Sequence, residues 1–126
     1  MRRLTQVFLI TVFIAAAMLA LRPAQAQPFA AVQARSGATQ VTVVMTEFRF
    51  VLFKPSVHTG AVVFGLVNRG HLAHDFKIDS EKSALVGHGT RGLLRVDFRR
   101  AGRYPYLCTV PGHAAAGMKG VLRVTR

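Results

Sequence analysis

The chain has 126 residues, enough for one packed domain and not for two. Lys and Arg number 17 against 5 Asp and Glu. The cations are scattered, however, and no aromatic residues are interleaved with them as base-stacking platforms, which excludes a nucleic-acid interface. A single cysteine, Cys108, excludes an intrachain disulfide.

Residues 1–26 read as a secretory signal peptide, with an uncleaved anchor as the alternative. Arg2 and Arg3 form a basic start, Val7 to Leu21 is a run of mostly apolar residues, and Ala24-Gln25-Ala26 is a cleavage signal. The apolar run is 15 residues long, short of the ~20 that span a bilayer, so no stable membrane span is expected after cleavage. Removing Arg2, Arg3 and Arg22 with this segment takes the formal charge from +12 to about +9. In an exported protein that balance points to an acidic partner or to the anionic face of a membrane. Export also leaves Cys108 as a lone thiol in an oxidising compartment, which favours a metal-bound role for it.

Residues 27–40 lack periodicity and are expected to form a flexible N-terminal arm. From Val41 to the C-terminus, short β-rich runs alternate with Gly- and Pro-containing turns. Val41 to Phe53 is rich in β-branched and aromatic residues and stops at Lys54-Pro55. Ala61 to Asn68 follows a His58-Thr59-Gly60 turn. His74 to Asp79 alternates, with His74, Phe76 and Ile78 on one face. Leu94, Val96 and Phe98 alternate with Arg95 and Asp97 in the run Leu93 to Phe98. Arg103 to Cys108 and Met118 to Thr125 complete the set. This spacing predicts an all-β domain over 41–126, a single antiparallel β-sandwich. No segment carries a 3.6-residue apolar stripe.

The chemistry concentrates in Tyr104 to Met118. Cys108, His113 and Met118 are separated by four residues in each gap, and the residues of the second gap are all small. A loop of that kind folds three side chains onto one point. One thiolate, imidazole nitrogens and a weak thioether form the donor set of a blue-copper centre. A second imidazole must come from elsewhere. His74 shares its strand face with Phe76 and Ile78, which favours it over the nearby His71. His58 and His88 sit in Gly-flanked turns and read as solvated surface residues. Met45, the other methionine of the exported part, forms no methionine cluster.

The ordered set of Asn68-Arg-Gly70, His74-Asp75-Phe76, Tyr106-Leu-Cys108, Pro111-Gly112-His113 and Gly117-Met118 resembles the cupredoxins, the type 1 blue-copper family. The ligand loop is most similar to those of azurins and rusticyanin. The resemblance implies a Greek-key sandwich with one copper ion held by His74, Cys108 and His113, and Met118 as the long axial ligand. It also implies that the residue after the first histidine is tied to the residue after the cysteine, here Asp75 to Thr109. Asparagine is frequent at the first of these positions in the family, so Asp75 is a departure. Pro111, Gly112 and Ala114 to Ala116 are expected to form a small apolar docking face around His113.

The leading expectation is a periplasmic or secreted one-electron carrier, a monomer rather than an enzyme. Its redox partners would present acidic docking surfaces, as on a cytochrome or an oxidase. The alternative is copper delivery, storage or tolerance. A copper enzyme needs more metal centres than one domain with one cysteine provides.

Overall fold

The computed structural model describes residues 37–126, so the expected signal peptide at 1–26 and most of the expected arm lie outside the described residues. Nine strands occur among the described residues. They are β1 (Thr39–Thr46), β2 (Arg49–Leu52), β3 (Ser56–His58), β4 (Gly60–Asn68), β5 (Lys77–Ile78), β6 (Glu81–Lys82), β7 (Arg91–Phe98), β8 (Gly102–Leu107) and β9 (Lys119–Thr125). They build two sheets, one in the order β2-β1-β4-β7 and one in the order β3-β9-β8-β5-β6. The described residues contain no helix, hence none long and apolar enough to cross a membrane.

Side-chain alternation produces the two layers. One sheet points Val41, Val43 and Met45 of β1 inward with Val62, Phe64 and Leu66 of β4 and Leu94, Val96 and Phe98 of β7. The other contributes Val57, Ile78, Leu122 and Val124, with Phe76 and the partly buried Tyr104 and Tyr106. Each fully buried side chain of this size stabilises the fold by about 1.5–3 kcal/mol. Aromatic rings join the layers: Phe64 and Phe76 lie 5.2 Å apart, and Phe76 lies 5.2 Å from Tyr106. Gly120 is directly opposite Tyr106 in the β8–β9 ladder. A Cβ at Gly120 would lie 2.3 Å from the Tyr106 hydroxyl oxygen, so only glycine leaves room for this ring.

Several expectations change in detail. The sandwich is mixed rather than wholly antiparallel, because β1 pairs with β4 and β3 with β9 in parallel. Alternation specifies which face is buried and carries no information on the direction of the neighbouring strand. The Val41–Phe53 run is two strands, β1 and β2, joined through Glu47 and Phe48 in a tight antiparallel hairpin. Strand β1 begins at Thr39, two residues inside the expected arm. The His74–Asp79 strand is shorter than expected: only Lys77–Ile78 pairs in the sheet, while His74 makes an isolated bridge to Val86.

Candidate metal centre

His74, Cys108, His113 and Met118 converge at one end of the sandwich, each placed by a different piece of backbone. His74 is held by its bridge to Val86, with backbone hydrogen bonds of 3.1 and 2.8 Å. Buried Asn68, at the end of β4, fixes that region. Its Nδ2 donates to the carbonyls of Leu72 (2.7 Å) and Val86 (2.8 Å), and its Oδ1 accepts from the Gly70 amide at 2.9 Å. Cys108 follows β8 directly and Met118 immediately precedes β9. The Cys108 amide donates to the Met118 carbonyl at 3.0 Å, and the Met118 amide donates to that of His113 at 3.0 Å. Within the connecting turn the Ala116 amide donates to Gly112 at 2.9 Å. Gly112 and Gly117 have φ of 83° and 113°, a region that side-chain-bearing residues rarely enter.

The three ligand-type groups meet in a dry space. His74 Nδ1 approaches His113 Nδ1 at 3.1 Å, and Cys108 Sγ lies 3.5 Å from the same nitrogen. Their donor atoms all lie within 4.8 Å of one another. His74 and Met118 are 0% exposed, Cys108 1% and His113 7%, so all four are buried and His113 is the least buried of them. Metal–nitrogen bonds of ~2.0 Å and metal–sulfur bonds of ~2.3 Å at near-tetrahedral angles separate two nitrogens by ~3.3 Å, and nitrogen from sulfur by ~3.5 Å. The observed spacings match, so these residues fit a single ion.

The electrostatics favour neutral groups until a metal arrives. Burial lowers the pKa of His74 below its ordinary value, and the neighbouring His113 lowers it further. Burial raises that of the Cys108 thiol. The donor set of two imidazoles and a thiol, with no carboxylate in the cluster, selects a soft or borderline metal and disfavours calcium and magnesium. Asp75 stays out of the cluster because its carboxylate is engaged by Thr109. The Thr109 amide donates to Oδ1 at 2.6 Å and the Thr109 hydroxyl donates to Oδ2. This is the tie that the sequence resemblance implied.

The remaining histidines stay outside the cluster. The His71 ring stacks on His88 at 5.2 Å, and His88 Nδ1 donates to the Gly70 carbonyl at 2.6 Å. His88 is therefore exposed but partnered, a pairing that spacing did not reveal. His58 Nδ1 donates to the Arg126 carbonyl at 2.9 Å at the far end of β3. Met45 is core, opposite Asn68 in the β1–β4 ladder.

Two residues that the sequence reading passed over shape the site. Phe48 sits in the β1–β2 turn with φ of 59°, an unfavourable conformation for an aromatic residue, and its ring meets the His113 ring edge-on at 5.2 Å. The adjacent Glu47 accepts backbone hydrogen bonds from His71 and, at 3.0 Å, from Leu72. The Leu72 amide is the main cause that lowers the Glu47 pKa. This hairpin turn clamps the loop before His74 and covers part of His113. No glycine, asparagine or proline marks it in the sequence.

Comparison with known proteins agrees with this geometry. The family described as copper binding proteins, plastocyanin/azurin family, matches residues 29–125. Auracyanin-B of Chloroflexus aurantiacus is 44% identical over 43 residues, covering 34% of this chain and 18% of that protein. The matched segment thus spans under a fifth of that relative. Dithionite-reduced auracyanin from Roseiflexus castenholzii superposes with a TM-score of 0.60 at 20% identity, covering 71% of this chain and all of that one. A multicopper oxidase superposes with a TM-score of 0.54 at 17% identity, covering 69% of this chain and 44% of the oxidase. At these identities the structural likeness is one of fold.

Proposed function

Because the chain belongs to the plastocyanin/azurin family of copper binding proteins, we propose that it carries single electrons between redox proteins outside the cytoplasm. In this reading His74, Cys108 and His113 would hold the copper, with the thioether of Met118 as a weak fourth donor. The observation that carries it is the buried convergence of His74 Nδ1, His113 Nδ1 and Cys108 Sγ, at 3.1 and 3.5 Å, at the rim of a rigid sandwich. Copper, when bound, supplies the one-electron couple.

The chain's own residues do the rest. Cys108 would hold the ion as its thiolate, its proton passing to solvent, and its sulfur would link the centre to β8. His74 and His113 keep their Nδ1 atoms directed at one point. Buried Met118 and the ring of Phe48, edge-on to His113, cover the donor atoms, and a fixed dry cage limits rearrangement when the charge changes. His113 is the exit toward a partner, with Phe48, Pro111, Gly112 and the alanines of the turn as a small apolar contact. The partner is a redox protein with an acidic docking surface, such as a cytochrome or an oxidase. The excess of cations supports this and makes the association weaken with salt.

Burial weighs against the delivery alternative, since exposures of 0% for His74 and 1% for Cys108 leave no open site for handing copper on. Four protein donors also leave no position for a substrate, in keeping with a carrier rather than an enzyme.

The test is the visible spectrum after loading with Cu(II), followed by ascorbate. The expected result is an intense thiolate-to-copper band that bleaches on reduction, returns on reoxidation and is abolished by Cys108→Ser. Copper binding with only a faint band would remove Cys108 from the ligand set and put the delivery reading first.

A further inference from the structure

The outer face of the β3-β9-β8-β5-β6 sheet carries a charge pattern that the metal centre does not use. By register, Lys82, Lys77, Leu107 and Lys119 form one row across β6, β5, β8 and β9. A second row has Arg103 facing Arg123 across β8 and β9. Pro105 and Val121 lie opposite each other between the rows, and Val121 is 44% exposed. All five cations are exposed. Lys77 opposite Lys82 and Arg103 opposite Arg123 are like-charge cross-strand pairs, an arrangement that costs a sheet stability.

None of the five carboxylates of the chain relieves this. Glu47 is in the β1–β2 turn, Asp75 is bound to Thr109, and Asp79 follows β5 in a turn. Glu81 is opposite Ile78, on the inward-facing parity, and Asp97 is on β7 of the other sheet beside Arg99. The two cationic rows are four residues apart along β8, about 13 Å. The charge is therefore spread over an open sheet face rather than gathered in a cleft, which suits a plane of negative charge better than a single anion.

We propose that this face rests on an anionic lipid bilayer, with Pro105 and Val121 at the level of the headgroups and the lysine and arginine side chains reaching the lipid phosphates. A bilayer fits better than an acidic protein because of where the metal centre lies. His113 is in the turn beyond the ends of β8 and β9, so a membrane on the sheet face leaves that end free to meet a partner. A protein seated on the face would be kept away from His113, the least buried of the ligand-type residues. The choice of a bilayer over a protein rests on the electron-carrier reading, whereas the charge pattern itself does not.

The experiment is co-sedimentation of the copper-loaded full chain with phosphatidylcholine vesicles, with and without phosphatidylglycerol, at low and high salt. Apolar insertion by the N-terminal segment is common to both lipids, and the pull of Arg2, Arg3, Arg22 and Arg35 on the anionic lipid is common to parent and variants, so the sheet face is read from the difference between variants. The expected result is phosphatidylglycerol-dependent binding that is lost at high salt. A cation near an anionic surface contributes about fivefold in partitioning, so Lys77→Gln/Lys119→Gln/Arg123→Gln should lower that binding by about a hundredfold. The charge-matched control Arg49→Gln/Arg91→Gln/Arg95→Gln, on the other sheet, should lower it far less. Thermal unfolding of the first variant should be no lower than that of the parent, because two like-charge pairs are relieved. Equal loss in both variants, or no dependence on phosphatidylglycerol, would overturn the proposal. Retention on immobilised polyglutamate without vesicle binding would also overturn it, in favour of an acidic protein.

Discussion

Gly120→Ala probes how closely the core and the metal centre are joined. The added Cβ would lie 2.3 Å from the Tyr106 hydroxyl oxygen, 2.4 Å from Cζ and 2.8 Å from Cε2, whereas ordinary contact begins near 3.4 Å. The ring must shift by about 1 Å, since backbone pairing holds Gly120 and Tyr106 directly opposite. Tyr106 has little freedom: Phe50 and Phe76 hold it at 5.7 and 5.2 Å, and two residues later on the same face comes Cys108. Overpacking of this kind costs about 1–3 kcal/mol. For a domain this small that lowers Tm by roughly 4–24 °C. The assay is thermal unfolding of the metal-free protein, run as a double-mutant cycle with Tyr106→Leu, which removes the obstructing atoms. The double variant should be less destabilised than the sum of the singles. Strict additivity would refute the reasoning, because the glycine would then be needed for something other than the ring.

Met118→Leu preserves volume in a fully buried position. It should cost under about 1.5 kcal/mol in urea unfolding while raising the reduction potential by on the order of 60 mV, a tenfold shift toward Cu(I); an unmoved potential would make Met118 plain core. Asp75→Ala leaves the Thr109 amide and hydroxyl without their acceptor and should cost about 1.5–3 kcal/mol, whereas Asp75→Asn should cost less and raise the potential by removing a negative charge beside the centre, read by redox titration. The pH profile of the metal-free protein should be bounded on both sides. His74 is depressed from 6.5, so its contribution is complete above that value and falls as pH drops through it; Cys108 is raised from 9.0, so its contribution is complete below that value and falls as pH rises past it. Urea midpoints that stay flat across both flanks would contradict the burial argument.

Much of the site was legible because its chemistry and its strand parity point the same way. His74 with Phe76 and Ile78, Cys108 with Tyr106, and Met118 with Leu122 each share a buried row, and the positions of Cys108 just after β8 and Met118 just before β9 put them at a strand end. The contacts made by the β1–β2 hairpin turn were not legible. Thr46 to Arg49 lies within a run rich in β-branched and aromatic residues, and Phe48 adopts its positive φ without a glycine to announce it. Strands β3 and β6, of three and two residues, are too short to show a period. The parallel pairings escape notice for another reason: Val57 opposite Val124 joins residues 67 positions apart, and nothing local in either segment encodes that neighbour.

The burial gradient across the four side chains has a kinetic consequence. His74, Cys108 and Met118 are sealed inside the sandwich with the Asp75–Thr109 tie beside them, and His113, 7% exposed, is the least buried of the four, which makes the turn that carries it the shortest way in for an ion. That turn is held by a few backbone bonds, among them Ala116 to Gly112 and Met118 to His113. Ion entry and loss therefore follow the local opening of residues 111–117 rather than unfolding of the sheets. The residence time of copper and the thermal stability of the domain are separate properties, adjustable by different residues.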